Sequence, residues 1–261
     1  MPESFETVSV EQRGSVALLS FNRPDSLNAF NAALRRDILA AAEAVNADDS
    51  IRIVVLTGAG RAFSAGADLA EIQADDFDVE AQLNREYKPA LMAITESPKP
   101  WISAVNGAAA GIGSAFAMVC DLTVMAENAF IYQAFAAIGL IPDGGATWHL
   151  ARTVGRKRAF ELIAGGEKLA AARCQEWGLC NRVVAADALV DEAVAWAEEL
   201  AGKAPLSLRY AKQALNAAME ADVSATITDE ARLQKVCVDS DDAKEGATAF
   251  LAKRAPVWTG R

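Results

Sequence analysis

Three short segments of this sequence carry residues whose types and spacing could do chemistry. In Leu140-Ile141-Pro142-Asp143-Gly144-Gly145 a carboxylate sits between a proline and two glycines, with Phe135, Ile138 and Trp148 nearby in sequence. A carboxyl withdrawn from water in such apolar company has its pKa raised and suits moving a proton near neutral pH. The same aspartate precedes a helix expected to start near Ala146, and aspartate is also a favoured helix cap. In Ala62-Phe63-Ser64-Ala65-Gly66-Ala67-Asp68-Leu69, small residues let the main chain approach a ligand closely. Asp68 can cap a helix behind it, and free N–H groups there would face an anion. An ordinary strand-to-helix turn reads the same way. In Ala104-Val105-Asn106-Gly107-Ala108-Ala109-Ala110-Gly111-Ile112-Gly113, a second strand runs into glycines that open a helix. Alone, this pattern suggests a dinucleotide turn, but the early G-x-G-x-x-G of a first βαβ unit is missing. Two such turns, each ending an apolar strand, could each supply one N–H to a single oxyanion, which is the geometry an enolate needs.

The elements that must position these segments are legible in the apolar pattern. Glu6 to Glu11 and Val16 to Phe21 flank Arg13-Gly14 and read as a hairpin. Leu34, Ile38, Ala41, Ala42 and Val45 recur at helical spacing between Asn31 and Asn46, and Ile51 to Thr57 follows as a short strand. A second cycle gives a helix from about Ala81 to Glu96, a strand from Trp101 to Val105, a helix from Gly111 and a strand from Leu122 to Ala126. Parallel strands need such crossovers. From Thr147 onward the chain reads as almost all helix, so the fold class is α/β, with an α/β core over 1–166 and a helical region over 167–261.

Composition narrows the function. The chain has 261 residues, 52% of them apolar, enough to bury a sizeable core without staples. A net charge of −10, from 25 basic and 35 acidic side chains, opposes nucleic acid as a partner. Cys120, Cys174, Cys180 and Cys237 show no C-x-x-C pairing, Met1 to Gln12 lacks the character of a signal peptide, and no run of 18 apolar residues would span a membrane. A cytoplasmic protein is expected. His149 is the single histidine, so nucleophile systems that need one have little to build on, and no His/Cys pattern suggests a metal. An orienting or structural role is expected of His149, and Arg23, Arg61 and Lys99 read as surface charges.

The three segments, with Cys120-Asp121-Leu122 between the last two and Glu245 to Arg254 near the end, resemble the crotonase (enoyl-CoA hydratase/isomerase) superfamily in order and spacing. The resemblance implies a spiral of ββα turns capped by a C-terminal helical region that drives trimerisation, with trimers commonly paired into hexamers. It implies an acyl-CoA thioester as substrate, with coenzyme A part of that substrate and no separate cofactor. By matching position, the oxyanion hole maps to the N–H groups of Ala65 and Ile112. Coenzyme A would run along Gly66, Ala67, Asp68 and Leu69 and against Gly111, with Phe250 and Lys253 reaching its nucleotide part, often from a neighbouring subunit. The acidic stretch Asp75 to Asp78 would be a loop flanking the acyl pocket.

One departure matters. Where hydratases of the family place two glutamates, this sequence has Ala115 and Phe135, neither of which can exchange a proton. Ile141-Pro142-Asp143-Gly144-Gly145 resembles instead the ring-modifying isomerases of phenylacetate degradation and some Δ3,Δ2-enoyl-CoA isomerases, which implies Asp143 as the catalytic group. The expected function is therefore isomerisation of a 3-enoyl-CoA or of an aromatic-derived epoxide. The alternatives are an atypical enoyl-CoA hydratase, a hydrolytic or dehalogenating enzyme with Asp143 as nucleophile, and a non-catalytic acyl-CoA- or RNA-binding relative.

Overall fold

The computed structural model describes residues 5–71 and 78–261. Its first elements are the expected hairpin, β1 (Val8–Arg13) and β2 (Val16–Phe21), paired antiparallel from Val8 opposite Phe21 to Arg13 opposite Val16. Helix α1 (Ala32–Ala47) follows, capped by the Asn31 side chain, which accepts from the Leu34 N–H at 2.9 Å. Its buried stripe Leu34, Ile38, Ala41, Ala42 and Val45 follows the helical repeat and faces the sheet and a later helix.

The chain then repeats one unit three times. A strand in a large sheet is followed within a few residues by a three-residue strand in a small sheet, and then by helix. The pairs are β3 (Ile53–Gly58) with β4 (Ala62–Ser64), β5 (Trp101–Val105) with β6 (Ala108–Ala110), and β7 (Leu122–Ala126) with β8 (Phe130–Tyr132). Among the described residues the large sheet runs β1-β2-β3-β5-β7-β10 and the small one β4-β6-β8-β9, and successive units stack in parallel register. This is a spiral of ββα turns. Strands β3 and β5 are buried at every position, as expected of parallel strands covered on both faces.

The helices that follow β3–β4 are α2 (Val79–Gln82) and α3 (Lys88–Thr95), joined by a π-helical turn over Leu83–Tyr87. After β6 comes α4 (Ile112–Met118), after β8 come α5 (Ala146–Thr153) and α6 (Arg156–Gly165), and α7 (Ala171–Glu176) lies between the last two strands. Those strands, β9 (Lys168–Ala170) and β10 (Arg182–Val184), are the elements missed by the expectation of almost all helix after Thr147: β9 pairs antiparallel with β8, and β10 adds a parallel edge to β7. At three residues each they are too short to show a period of two. Helix α8 (Leu189–Ala201) crosses β2, β3, β5 and β7, and α9 (Pro205–Ala218), α10 (Val223–Asp239) and α11 (Asp241–Leu251) complete the chain's helical part.

Two buried lysines fasten these layers. Lys212 on α9 reaches the Ile94 carbonyl at 2.8 Å and the Asp121 carboxylate at 2.9 Å, while Asp121 also accepts from the Trp101 N–H. Lys99 is buried rather than at the surface, and donates to the Val45 and Asp48 carbonyls that end α1. Cations at a helix C-terminus satisfy carbonyls left without intrahelical partners. Arg23 is also drawn inward, paired with Asp68 at 3.1 Å, and Arg61 stays exposed. The four cysteines are free thiols.

Candidate active site

The two glycine-bearing turns meet. Ser64 locks the first: its hydroxyl donates to the Asn28 carbonyl at 2.8 Å and accepts from the Gly66 N–H at 3.1 Å. A Cβ on Gly66 would lie 3.0 Å from the Ala110 carbonyl oxygen, so a side chain there would crowd the second turn, while one on Gly111 would only touch the Gly66 Cα at 3.8 Å. Gly111 caps α4, making Ile112 its first residue.

Of the two N–H groups expected to hold an oxyanion, that of Ile112 has no acceptor among the described residues. That of Ala65 is engaged, donating to the Leu27 carbonyl at 2.9 Å, where the sequence reading takes it as free. The acceptor comes from a segment distant in sequence, so no local pattern announces it. Serving a substrate oxygen requires this N–H to be shared, as three-centre bonds allow, or the Leu27 carbonyl to turn away. The next residues are partly committed as well. The Asp68 N–H donates to the Phe30 carbonyl, while the Ala67 N–H has no acceptor among the described residues. Instead of capping a long helix, Asp68 closes a turn through the Ala70 N–H and pairs with Arg23. Leu69 is exposed.

Asp143 is brought to the start of α4 by its neighbour. Gly144 has φ of +59°, and a Cβ there would lie 2.3 Å from Ile112 Cδ1 and 2.9 Å from Ala115 Cβ. Only a residue without a side chain lets the Asp143 loop lie this close to the oxyanion turn. The capping role is ruled out by the contacts: α5 begins behind Gly145 with no side-chain cap, and Asp143 Oδ1 is closed off from solvent without a hydrogen-bond partner. Burial pushes the carboxyl up to about 6, with its own N–H the opposing influence. An orphaned buried polar atom costs on the order of 1–3 kcal/mol, a cost that functional sites tolerate.

Asp143 stands in the wall of a cavity of about 820 Å³ that is otherwise mostly apolar: Leu83, Leu91, Met92, Val119, Leu140, Ile141 and Trp148, with Tyr87 and His149. Burial, assisted by Arg152, pushes the His149 imidazole down to about 4, so it is neutral near pH 7 and edges against Trp148. Ala115 and Phe135 are both buried and contribute no carboxyl. Tyr87 is the wall residue that the sequence did not reveal. Its spacing from Leu91 and Ile94 is that of a helix core stripe, and the polar end of the ring has no signature of its own.

Phe250 and Lys253 stand exposed on α11 and just past its end, and neither lines this cavity within the chain. Of the acidic stretch, Asp75, Asp76 and Phe77 lie outside the described residues, and Asp78 caps α2. Among the described residues no group of three His, Cys, Asp or Glu side chains is placed to hold a metal ion, and no helix is long and apolar enough to cross a membrane.

A family model described as enoyl-CoA hydratase/isomerase matches residues 11–261. The chain is 39% identical over 250 residues to 1,2-epoxyphenylacetyl-CoA isomerase of Escherichia coli, covering 94% of this chain and 95% of that one. It is 39% identical over 258 residues to a probable enoyl-CoA hydratase of Rhodobacter capsulatus, covering 99% and 100%. It is also 38% identical to 2,3-dehydroadipyl-CoA hydratase of Escherichia coli over 97% and 98% of the two chains. Among solved structures, an enoyl-CoA hydratase subunit of Geobacillus kaustophilus superposes with a TM-score of 0.93 at 34% identity, over 98% of this chain and 99% of that one.

Proposed function

The chain belongs to the enoyl-CoA hydratase/isomerase family, and from that premise we propose that it is an acyl-CoA isomerase in which Asp143 moves the proton. The observation that carries this reading is the Asp143 carboxyl itself, which caps no helix and is unpartnered at Oδ1, and whose neighbour Gly144 packs against the side chain of Ile112, a residue with a free N–H. The thioester oxygen accepts from the Ile112 N–H and, once the Leu27 carbonyl gives it up, from that of Ala65. Asp143, ionised near neutral pH, removes a proton from a carbon of the acyl group. The electrons pass into the thioester as an enolate held by the main-chain donors. The carboxylic acid so formed returns the proton to another carbon, and the double bond has shifted. No cofactor takes part. Coenzyme A lies along Gly66 to Leu69 and Gly111, with Phe250 and Lys253 meeting its nucleotide end from a neighbouring subunit.

Support comes from the absence of a second carboxyl at Ala115 and Phe135 and from the relative named as an epoxide isomerase, whose ring-bearing acyl group suits a cavity walled by Tyr87 and Trp148. Hydration is the second reading, favoured by the equally similar relative named as a probable hydratase. The test is Asp143→Asn, assayed with a 3-enoyl-CoA, crotonyl-CoA and ring-epoxide thioesters. Asparagine keeps shape but cannot exchange a proton, so isomerisation is expected to fall by about 10²-fold or more while acyl-CoA binding persists. Full isomerase turnover in a folded variant would overturn the assignment. Water addition to crotonyl-CoA outpacing isomerisation in the unaltered protein would replace it with hydration.

A further inference from the structure

Apart from Val119, two stretches of chain supply the cavity wall: Val79 to Thr95, on α2 and α3, and Leu140 to His149, which holds Asp143 and the first turn of α5. They touch beside Gly144, where an added Cβ would lie 3.3 Å from Leu91 Cδ1. Away from that point, α9 and the turn just past it hydrogen-bond to both. On α9, Lys212 donates to the Ile94 carbonyl at 2.8 Å and Asn216 Nδ2 donates to the Thr95 carbonyl at 2.9 Å. Beyond its end, Glu220 stays tied to the helix through its own N–H, which donates to the Ala217 carbonyl at 3.1 Å. Its carboxylate takes hold of the other stretch. Glu220 Oε1 accepts from Trp148 Nε1 at 3.1 Å and from Arg152 at 2.9 Å, while the Arg152 guanidinium lies 4.2 Å from the centroid of the Trp148 ring.

The Glu220 side chain is 67% exposed and that of Arg152 33%, so water screens their pairing, and such pairs contribute little to stability. The effect of the carboxylate is geometric instead. It holds the Trp148 indole by its N–H, and the cation stacked on that ring by its guanidinium, at a set distance from the helix that holds Thr95. We infer that Glu220 is a positioning residue: together with Asn216 it braces the two walls across α9, fixes the gap between them, and so sets the breadth of acyl group that the cavity accepts. The inference rests on the proposed function for placing the acyl group in this cavity. It adds a size-setting residue outside the cavity wall, which the proton transfer at Asp143 does not itself require.

The experiment uses saturated thioesters, which have no double bond to move: the slender hexanoyl-CoA and the broad cyclohexylacetyl-CoA, each titrated into the full chain by calorimetry. Glu220→Ala frees the wall at Trp148 and is expected to raise the affinity for cyclohexylacetyl-CoA relative to hexanoyl-CoA by about tenfold, with the midpoint of urea unfolding unchanged. Glu220→Gln keeps an accepting oxygen and is expected to keep the parent ratio. Asn216→Ala releases the Thr95 end and is expected to move the ratio in the same direction as Glu220→Ala, and it makes the comparison should that variant fail to fold. An unchanged ratio, or a fall in both affinities that tracks lost stability, overturns the inference. Isomerisation of a 3-enoyl-CoA by the unaltered protein, with a ratio that Glu220→Ala leaves fixed, removes the role of Glu220 alone. A shifted ratio without isomerisation removes the isomerase reading alone.

Discussion

With Asp143 as the proposed proton carrier, pH enters in two opposite ways. Burial raises its carboxyl to about 6, so the native chain holds this proton more tightly than the unfolded chain does. Stability from this group is fully present at acid pH and is lost as pH rises from the ordinary carboxylate range through about 6. Asp143→Asn is therefore expected to be more stable than the parent protein above about pH 6, by on the order of 2 kcal/mol. That advantage should fade below about pH 4, and paired thermal melts across this range check it. Turnover runs the other way. The base must be ionised, so kcat/KM should fall about tenfold per pH unit below the same pKa. Gly144→Ala tests the neighbouring backbone, because its methyl would strike Ile112 Cδ1 in a left-handed conformation. A loss of about 1–3 kcal/mol in urea unfolding is expected, with a larger loss of turnover than of thioester binding. At this scale the sequence was informative where a group's surroundings are written in one short stretch, as for the burial of Asp143 in Pro142-Asp143-Gly144-Gly145. It was silent where a group's state depends on a distant partner, as for the Ala65 N–H.

The repeating unit was visible in its long members, β3, β5 and β7, short mostly apolar runs bounded by polar or turn-forming residues. Its short members were not. Ala62-Phe63-Ser64 and Ala108-Ala109-Ala110 are too brief and too rich in small residues for a period to show, although they form the small sheet from which both glycine-bearing turns leave. The start of α4 offers a clean test of the oxyanion assignment. Proline at the first position of a helix removes an N–H that has no intrahelical acceptor anyway, so Ile112→Pro should leave the helix standing. Removing one such donor is expected to lower turnover about 10²- to 10³-fold. A folded Ile112→Pro protein with full turnover would show that the thioester is held elsewhere. The contact between α9 and the spiral is tested by Lys212→Met, which leaves the Asp121 carboxylate without its cation. A loss of about 3 kcal/mol in equilibrium unfolding is expected. Helix α9 also reaches the site wall, through Glu220 just beyond it, which accepts from Trp148 Nε1 at 3.1 Å and from Arg152 at 2.9 Å.

As a whole the molecule leaves apolar surface uncovered on its last three helices. Leu215 on α9 and Ile227 on α10 face one groove, each more than half exposed, and Phe250 on α11 is 83% exposed. Surface of this kind marks contact with other protein. A trimer or a pair of trimers is the expected state, checked by light scattering, and a monodisperse monomer at micromolar concentration would exclude it along with the shared placement of Phe250 and Lys253. The packing of Gly144 against Ile112 has a consequence on another timescale. It joins the loop of the proposed acid, a side chain, to the helix start of the proposed donor, a main-chain group, and the two answer differently to a change of codon: almost any residue at 112 still carries an N–H, while a single base change at 143 can delete the carboxyl. If the proposed roles hold, a lineage built on this scaffold can discard one reaction and try another by altering side chains along the cavity wall while the main-chain donor stays in place.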